Sequence, residues 1–224
     1  MSIEKRNTRV FSTSRAMTVT NIYLSDEVGY GDEFIEEFQV LKEAQAGDEV
    51  HIFINSPGGN VATALQLVNN IDVCEATVVG HIEGICHSAA SYIFLACHDW
   101  VVNSNCLMLI HNYSGGAYGK GHDLVTGVQE TNKWIANIMR DTYLPFLTEE
   151  ELHYVESKDL YLNSIEISER LANVKEQRES LAIVEQKDML KDTITKFQGL
   201  LDDEKQDSEG VPESTDEQQT IPRS

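Results

Sequence analysis

Polar and apolar positions change period repeatedly along this chain. Residues 18–24 alternate apolar and polar side chains, the period of a half-buried strand. Residues 32–45 carry Phe34, Ile35, Phe38 and Leu41 at helical spacing. Residues 49–55 alternate again, with Val50, Ile52 and Ile54 on one face. The turn Ser56-Pro57-Gly58-Gly59 follows, then a helix over 61–73. A strand over 77–82, a turn at Gly84 and an apolar helical run over 88–96 come next. Residues 100–102 and 107–110 predict two short strands. Residues 121–144 predict a long amphipathic helix, with Leu124, Val128, Trp134, Ile135, Ile138 and Met139, stopped at Pro145. Thr148 and Glu151 have the spacing of a capping box, which starts a further helix. Strands alternating with helices imply an α/β fold, a mostly parallel sheet with helices packed on it.

The end of the chain reads differently. Over 175–201 the residues Ile183, Leu190, Ile194, Phe197 and Leu201 form one apolar seam, interrupted by Lys187 and Asp188. That predicts an amphipathic helix that packs on its own domain, on a neighbouring subunit or on a partner. From Gly199 onward there are eight acids against two bases and few apolar residues. Such a segment buries too little surface to offset its ordering entropy, so 202–224 is expected to be a disordered acidic tail. The expected organisation is a flexible segment 1–17, a domain 18–174, the helix 175–201 and the tail.

Charge narrows the partners. With 17 Lys+Arg against 37 Asp+Glu, the formal net charge is −20. Nucleic acid and anionic membrane are polyanions and do not suit such a chain. No stretch is long and apolar enough to span a bilayer, and residues 1–20 lack the apolar core of a signal peptide. The four cysteines Cys74, Cys86, Cys97 and Cys106 include no C-x-x-C pair and fit free thiols in a reducing compartment. A cytoplasmic location is expected.

Three loops carry candidate chemistry, and each follows a predicted strand. Asn55-Ser56-Pro57-Gly58-Gly59-Asn60 could turn backbone N–H groups toward an anion or oxyanion; taken alone, it reads first as an ordinary structural turn. In Gly84-Ile85-Cys86-His87-Ser88-Ala89-Ala90-Ser91, Ser88 is either a helix N-cap or a nucleophile at a helix start, and Ser91 reads as a packing residue. In Ile110-His111-Asn112, His111 ends an apolar strand, either as a structural histidine or as a general base.

Taken in order, these segments resemble the proteolytic subunits of the Clp protease, ClpP-like serine peptidases of the ClpP/crotonase superfamily. The resemblance rests on Ile54 to Gly59, Gly84-x-x-x-Ser88-Ala89-Ala90, Ile110-His111, Gly115-Gly116, Gly119, Asp123 and the run from Glu156 to Leu162. It covers residues 18–174 and implies repeated β-β-α units with a protruding handle helix. It assigns Ser88 as nucleophile, His111 as general base and Asp159 as orienting acid. The Gly59 and Ala89 N–H groups would form the oxyanion hole, and a strand through Gly115 and Gly116 would pair with an extended substrate. It implies polypeptide substrates, no cofactor, no metal, and homo-oligomeric rings, usually of seven subunits and stacked, that meet through the 121–158 region. An ATP-driven AAA+ unfoldase is a possible partner that the N-terminal segment does not support. His87, where the family has a small residue, could crowd the site or offer an alternative base, but is expected to face away from the nucleophile, and Tyr113 stands where proline is common. A virus head-maturation protease of the same superfamily, a non-catalytic assembly subunit and a crotonase-type acyl-CoA enzyme are the alternatives.

Overall fold

The structure is a computed structural model that describes residues 16–116 and 118–209. The chain divides into two compact units, Met1–Val174 and Lys175–Ser224. In the first, β1 (Val19–Leu24) leads through a short 3-10 turn (Gly31–Phe34) into α1 (Ile35–Glu43). Then come β2 (Glu49–Ser56), α2 (Val61–Asp72), β3 (Thr77–His87) and α3 (Ala89–Ala96). The strands β4 (Asp99–Val102) and β5 (Leu107–Ile110) precede α4 (Gly121–Tyr143) and α5 (Glu149–Val155). Last are β6 (Leu160–Asn163) and α6 (Ser164–Glu209), whose residues beyond Val174 belong to the second unit.

One sheet has the order β1-β2-β3-β5-β6, with β4 also paired to β3. Every pairing is parallel except β5 with β6. Alternation decides the two faces. Val50, Ile52, Ile54, Val78, Ile82, Cys86, Met108, Ile110 and Leu162 all point to the buried face, which α3 packs against. Full burial of such side chains contributes about 1.5–3 kcal/mol each. The opposite face carries Tyr23, His51, Phe53 and His81, with Tyr23 stacked on Phe53 at 5.0 Å and Phe53 on His81 at 4.5 Å. In α4 only Ile135, Met139 and Tyr143 are buried, so its first turns bury nothing.

The expected turn at Gly84 is not formed; β3 runs straight through it. Gly84 lies where β3 changes partner, from β4 at Ile82 to β5 at Ile85. The register of β2 against β3 also shifts there, between Ile54 and Ser56. Asn55 Oδ1 fills the irregularity by accepting from Ile85 N at 3.0 Å, and a Cβ on Gly84 would strike that oxygen. The glycine permits a close contact within a strand rather than a reversal.

The helix expected over 175–201 is part of the longer α6. Asn163 caps its start, accepting from Ile165 N at 2.9 Å and Glu166 N at 3.2 Å, while Glu166 Oε2 accepts from Asn163 N at 2.8 Å. No proline or glycine then intervenes before Gly199. Residues 202–209, expected as tail, are helical, and 210–224 lie outside the described residues, as do 1–15 of the N-terminal segment. All four cysteines are free thiols. No helix among the described residues is long and apolar enough to cross a membrane.

The capping box forms as its spacing predicts: Glu151 N donates to Thr148 Oγ1 at 3.2 Å, and Thr148 N donates to Glu151 Oε2 at 3.0 Å. Glu151 also receives both ends of the Arg170 guanidinium, at 2.7 and 2.6 Å. These Arg170 hydrogen bonds, against a desolvation cost and with help from Thr148, lower the Glu151 carboxyl to about 2. A carboxyl held below its unfolded value of about 4.3 contributes stability above that pH and loses it as pH falls through about 2. Glu151→Gln is therefore expected to cost about 1–3 kcal/mol at neutral pH. It should also flatten the loss of stability between about pH 4.3 and 2; urea midpoints against pH measure both effects.

Candidate active site

The candidate site begins at a strained turn. Ser88 N donates to Leu109 O at 2.8 Å, the last bond of β3 to β5. The chain then turns at Ser88 with φ 53° and ψ −124°, and Ser88 is the one non-glycine residue with positive φ among the described residues. Such a conformation costs about 1–3 kcal/mol and persists only where surrounding contacts impose it. Those contacts are visible. Ser91 N and Ser91 Oγ both donate to Ser88 O, at 2.9 and 2.7 Å, and Ser91 Oγ also meets Tyr143 Oη at 2.7 Å. Ser91 is thus a buried brace, in keeping with a packing role. The Ser88 side chain makes no capping hydrogen bond, which removes its ordinary N-cap reading.

The loop after β2 is pressed against this turn. Ser56 Oγ donates to Asp26 O at 2.6 Å and accepts from Gly58 N at 3.1 Å. Gly58 O accepts from Val28 N at 2.8 Å, and Asn60 N donates to Val28 O at 2.7 Å. Asn60 Oδ1 then caps α2 through Thr63 N. Gly58 has φ 90°; a Cβ there would lie 2.5 Å from His87 O, 2.8 Å from Ser88 Cβ and 2.9 Å from Ala89 N. Among the described residues, neither Gly59 N–H nor Ala89 N–H has a hydrogen-bond partner. Two unused backbone donors beside a serine could hold a developing oxyanion.

His111 and Asp159 arrive by strand pairing. Met108 pairs with Leu162 and Ile110 with Leu160 in the antiparallel register, so the next step sets His111 opposite Asp159. His87 pairs with Leu109 in the parallel register. Ser88, His111 and Asp159 therefore each stand one residue beyond the end of β3, β5 or β6, three neighbouring strands, at one end of the sheet. Ser88 and His111 are half-buried and Asp159 is exposed. No hydrogen bond joins the three side chains to one another. The strand β6, which delivers Asp159, carries no clear sequence signal because it has only four residues between two helices.

His87 does not stand apart from this cluster. Its ring meets Tyr161 edge-on, with centroids 6.4 Å apart, and its Nε2 is buried without a partner. Burial lowers its pKa, and the like charge of His111 lowers it further, so His87 lies near the candidate base and favours the neutral form. Cys86 is fully buried and its thiol is pushed well up, chiefly by burial, which makes it a core residue. Gly115 and Gly116 form no strand; they lie in exposed irregular backbone between β5 and α4, where an added Cβ would meet nothing within 4 Å. Beyond His111, Asn112 lines a groove between α4 and α5 that the sequence pattern did not reveal. Among the described residues no group of three or more His, Cys, Asp or Glu is placed to hold a metal ion.

A mostly parallel sheet with helices, a long amphipathic helix after the fifth strand and a short antiparallel closing strand make this a ClpP-type α/β fold. The family model described as Clp protease matches residues 4–167. The chain belongs to the Clp protease family.

Proposed function

We propose that the chain is a serine endopeptidase with Ser88 as nucleophile, His111 as general base and Asp159 as the carboxylate that orients His111. The observation that carries this reading is the gathering of these residues at the ends of three neighbouring strands, beside two unused backbone N–H groups. His111 takes the Ser88 proton as Ser88 Oγ attacks a peptide carbonyl. The Gly59 and Ala89 amides hold the tetrahedral oxyanion, each worth roughly 10²–10³ in rate. His111 then protonates the departing amine, and a water molecule releases the acyl group by the same steps in reverse. The hydrogen bonds among the three side chains close on substrate binding, since catalytic contacts are often long in a resting enzyme. The exposed Gly115–Gly116 backbone would pair with an extended polypeptide, a mode that reads main chain and tolerates many sequences.

The proposal includes assembly into rings. Trp134 is 51% exposed on α4, whose first turns bury nothing, and it offers an apolar contact between rings. The chain beyond Val174 is an appendage that this chemistry does not use; Leu181, Val184, Leu190 and Ile194 on it are exposed apolar residues suited to an interaction.

A fluorophosphonate probe tests the reading on full-length protein whose mass is measured in the same sample. The expected result is labelling at Ser88, reduced at least about 10³-fold in His111→Ala. A chain ending at Val174 should keep the label even if its mass falls. A folded, assembled wild type that takes no label at Ser88 overturns the proposal.

A further inference from the structure

A groove of about 530 Å³ opens at Asn112, between α4 and α5. That volume is within the usual range of binding clefts. Two links tie it to the candidate site. Asn112, the residue after His111, forms one wall. At the other side, Met139 and Arg140 sit one helical turn before Tyr143, whose hydroxyl meets Ser91, the brace of the Ser88 turn.

The groove has an apolar floor and a polar rim. Met139 and Leu152 are buried and, with Ala136, offer a surface for a short aliphatic stem. The rim is richer in donors than in acceptors, its one charged acceptor being Glu156. Asn112 keeps one N–H: its Oδ1 accepts from Tyr113 N at 2.9 Å, and its Nδ2 donates one hydrogen to Glu156 O at 3.1 Å. Asn132 Oδ1 accepts from Tyr113 Oη at 2.5 Å, which leaves its two N–H donors unused. The Asn137 amide has no hydrogen-bond partner among the described residues. Arg140 spends one Nη on Glu149, and its remaining N–H groups are open. Donors therefore outnumber free acceptors, and the missing partner is an acceptor oxygen at the end of a short stem.

Charge decides which oxygen. Glu149 already offsets Arg140, the Glu156 carboxylate lines the groove, and the chain carries −20 overall. A second carboxylate would meet repulsion, whereas a carboxamide both accepts from the rim and donates to Asn137 Oδ1. We propose that this groove receives the substrate side chain next to the scissile carbonyl and selects glutamine. The inference rests on the peptidase reading and adds its substrate class.

Peptidyl aminomethylcoumarins that differ only in the residue before the leaving group test it, with Gln, Glu, Leu or Lys at that position. Full-length protein, assembled as isolated, is the enzyme. The expected kcat/KM for Gln exceeds those for Glu, Leu and Lys by about 10-fold or more, the scale of a partly open hydrogen-bonding site. In Asn137→Leu and in Asn137→Leu/Arg140→Leu the Gln-to-Leu ratio should fall toward one or invert, while the Ser88 labelling rate stays within a few-fold of wild type. Both substitutions fall on exposed positions, and an unchanged thermal midpoint confirms folding. A wild type that is labelled at Ser88 but cleaves after Leu as fast as after Gln overturns the inference and leaves the peptidase reading standing. So does an unchanged ratio in the variants. A wild type that takes no label and cleaves none of the four fails at the earlier step, and both readings fall together.

Discussion

Replacing Ser88 with glycine should abolish hydrolysis and, in the same protein, raise the stability of the fold. The expectation comes from two separate facts. Ser88 has a positive φ of 53°, which costs a non-glycine residue about 1–3 kcal/mol. Its side chain makes no capping hydrogen bond, so removing it forfeits none. Glycine relieves the strain but returns about 0.5–1 kcal/mol through a freer unfolded chain. The net gain should be about 1 kcal/mol, read as a higher denaturant midpoint at constant slope. Ser88→Ala separates the two effects. It keeps the strain, so its stability should match wild type, while loss of the hydroxyl removes hydrolysis by roughly 10⁶ in kcat, the scale for a lost triad serine. A glycine variant less stable than the alanine variant by about 0.5–1 kcal/mol would mean that the turn stores no strain, and the structural argument for a functional serine would weaken with it.

Much of this fold could be read from local patterns, and the misses share a cause. The buried residues of β2 and β3 alternate because one face of the sheet is covered, and that period is plain in Val50, Ile52 and Ile54. The Thr148–Glu151 box and the end of α4 near Pro145 also follow from chemistry within a few residues. Gly84 misled because a strand glycine and a turn glycine look alike until the partner is known; here the partner is Asn55, far away in sequence. Gly115 and Gly116 form no strand: glycine supplies no side-chain packing, and even an added Cβ would meet nothing within 4 Å there. Ser88 and His111 stood out as residues ending apolar strands, but spacing could not choose the carboxylate; Asp159 came only from the family resemblance, and its place beside them depends on β6, which has only four residues. The Tyr143–Ser91 brace and the Arg170–Glu151 pair join distant segments and left no local trace. The unusual His87 stood out in the sequence; that burial and then the like charge of His111 lower its pKa is a consequence of strand pairing that spacing does not encode.

Gly58→Ala should damage both the fold and the candidate site. The added Cβ would fall on His87 O, Ser88 Cβ and Ala89 N, and two of these are backbone atoms. They cannot swing aside as a flexible side-chain end could. Ser88 N is tied to Leu109 O, and Ser88 O is held twice by Ser91. The loop must therefore retreat, at the expense of the Val28 N to Gly58 O and Gly58 N to Ser56 Oγ bonds. Overpacking of this kind costs about 1–3 kcal/mol, and alanine at positive φ adds up to about 1 kcal/mol. Retreat also moves Gly59 N–H away from Ala89 N–H, the two donors on which oxyanion binding would depend. Activity and labelling should drop at least about 10³-fold, since one misplaced donor alone costs roughly 10²–10³. Gly47→Ala supplies the control: Gly47 has a similar φ of 88°, but its Cβ would meet nothing within 4 Å. That variant should show only the conformational cost, about 1 kcal/mol, with labelling of Ser88 unchanged. The difference between the two alanine variants measures how tightly the glycine loop is seated on the Ser88 turn. If Gly58→Ala labels as fast as Gly47→Ala, the loop is free to move and cannot be what holds the oxyanion donors in place.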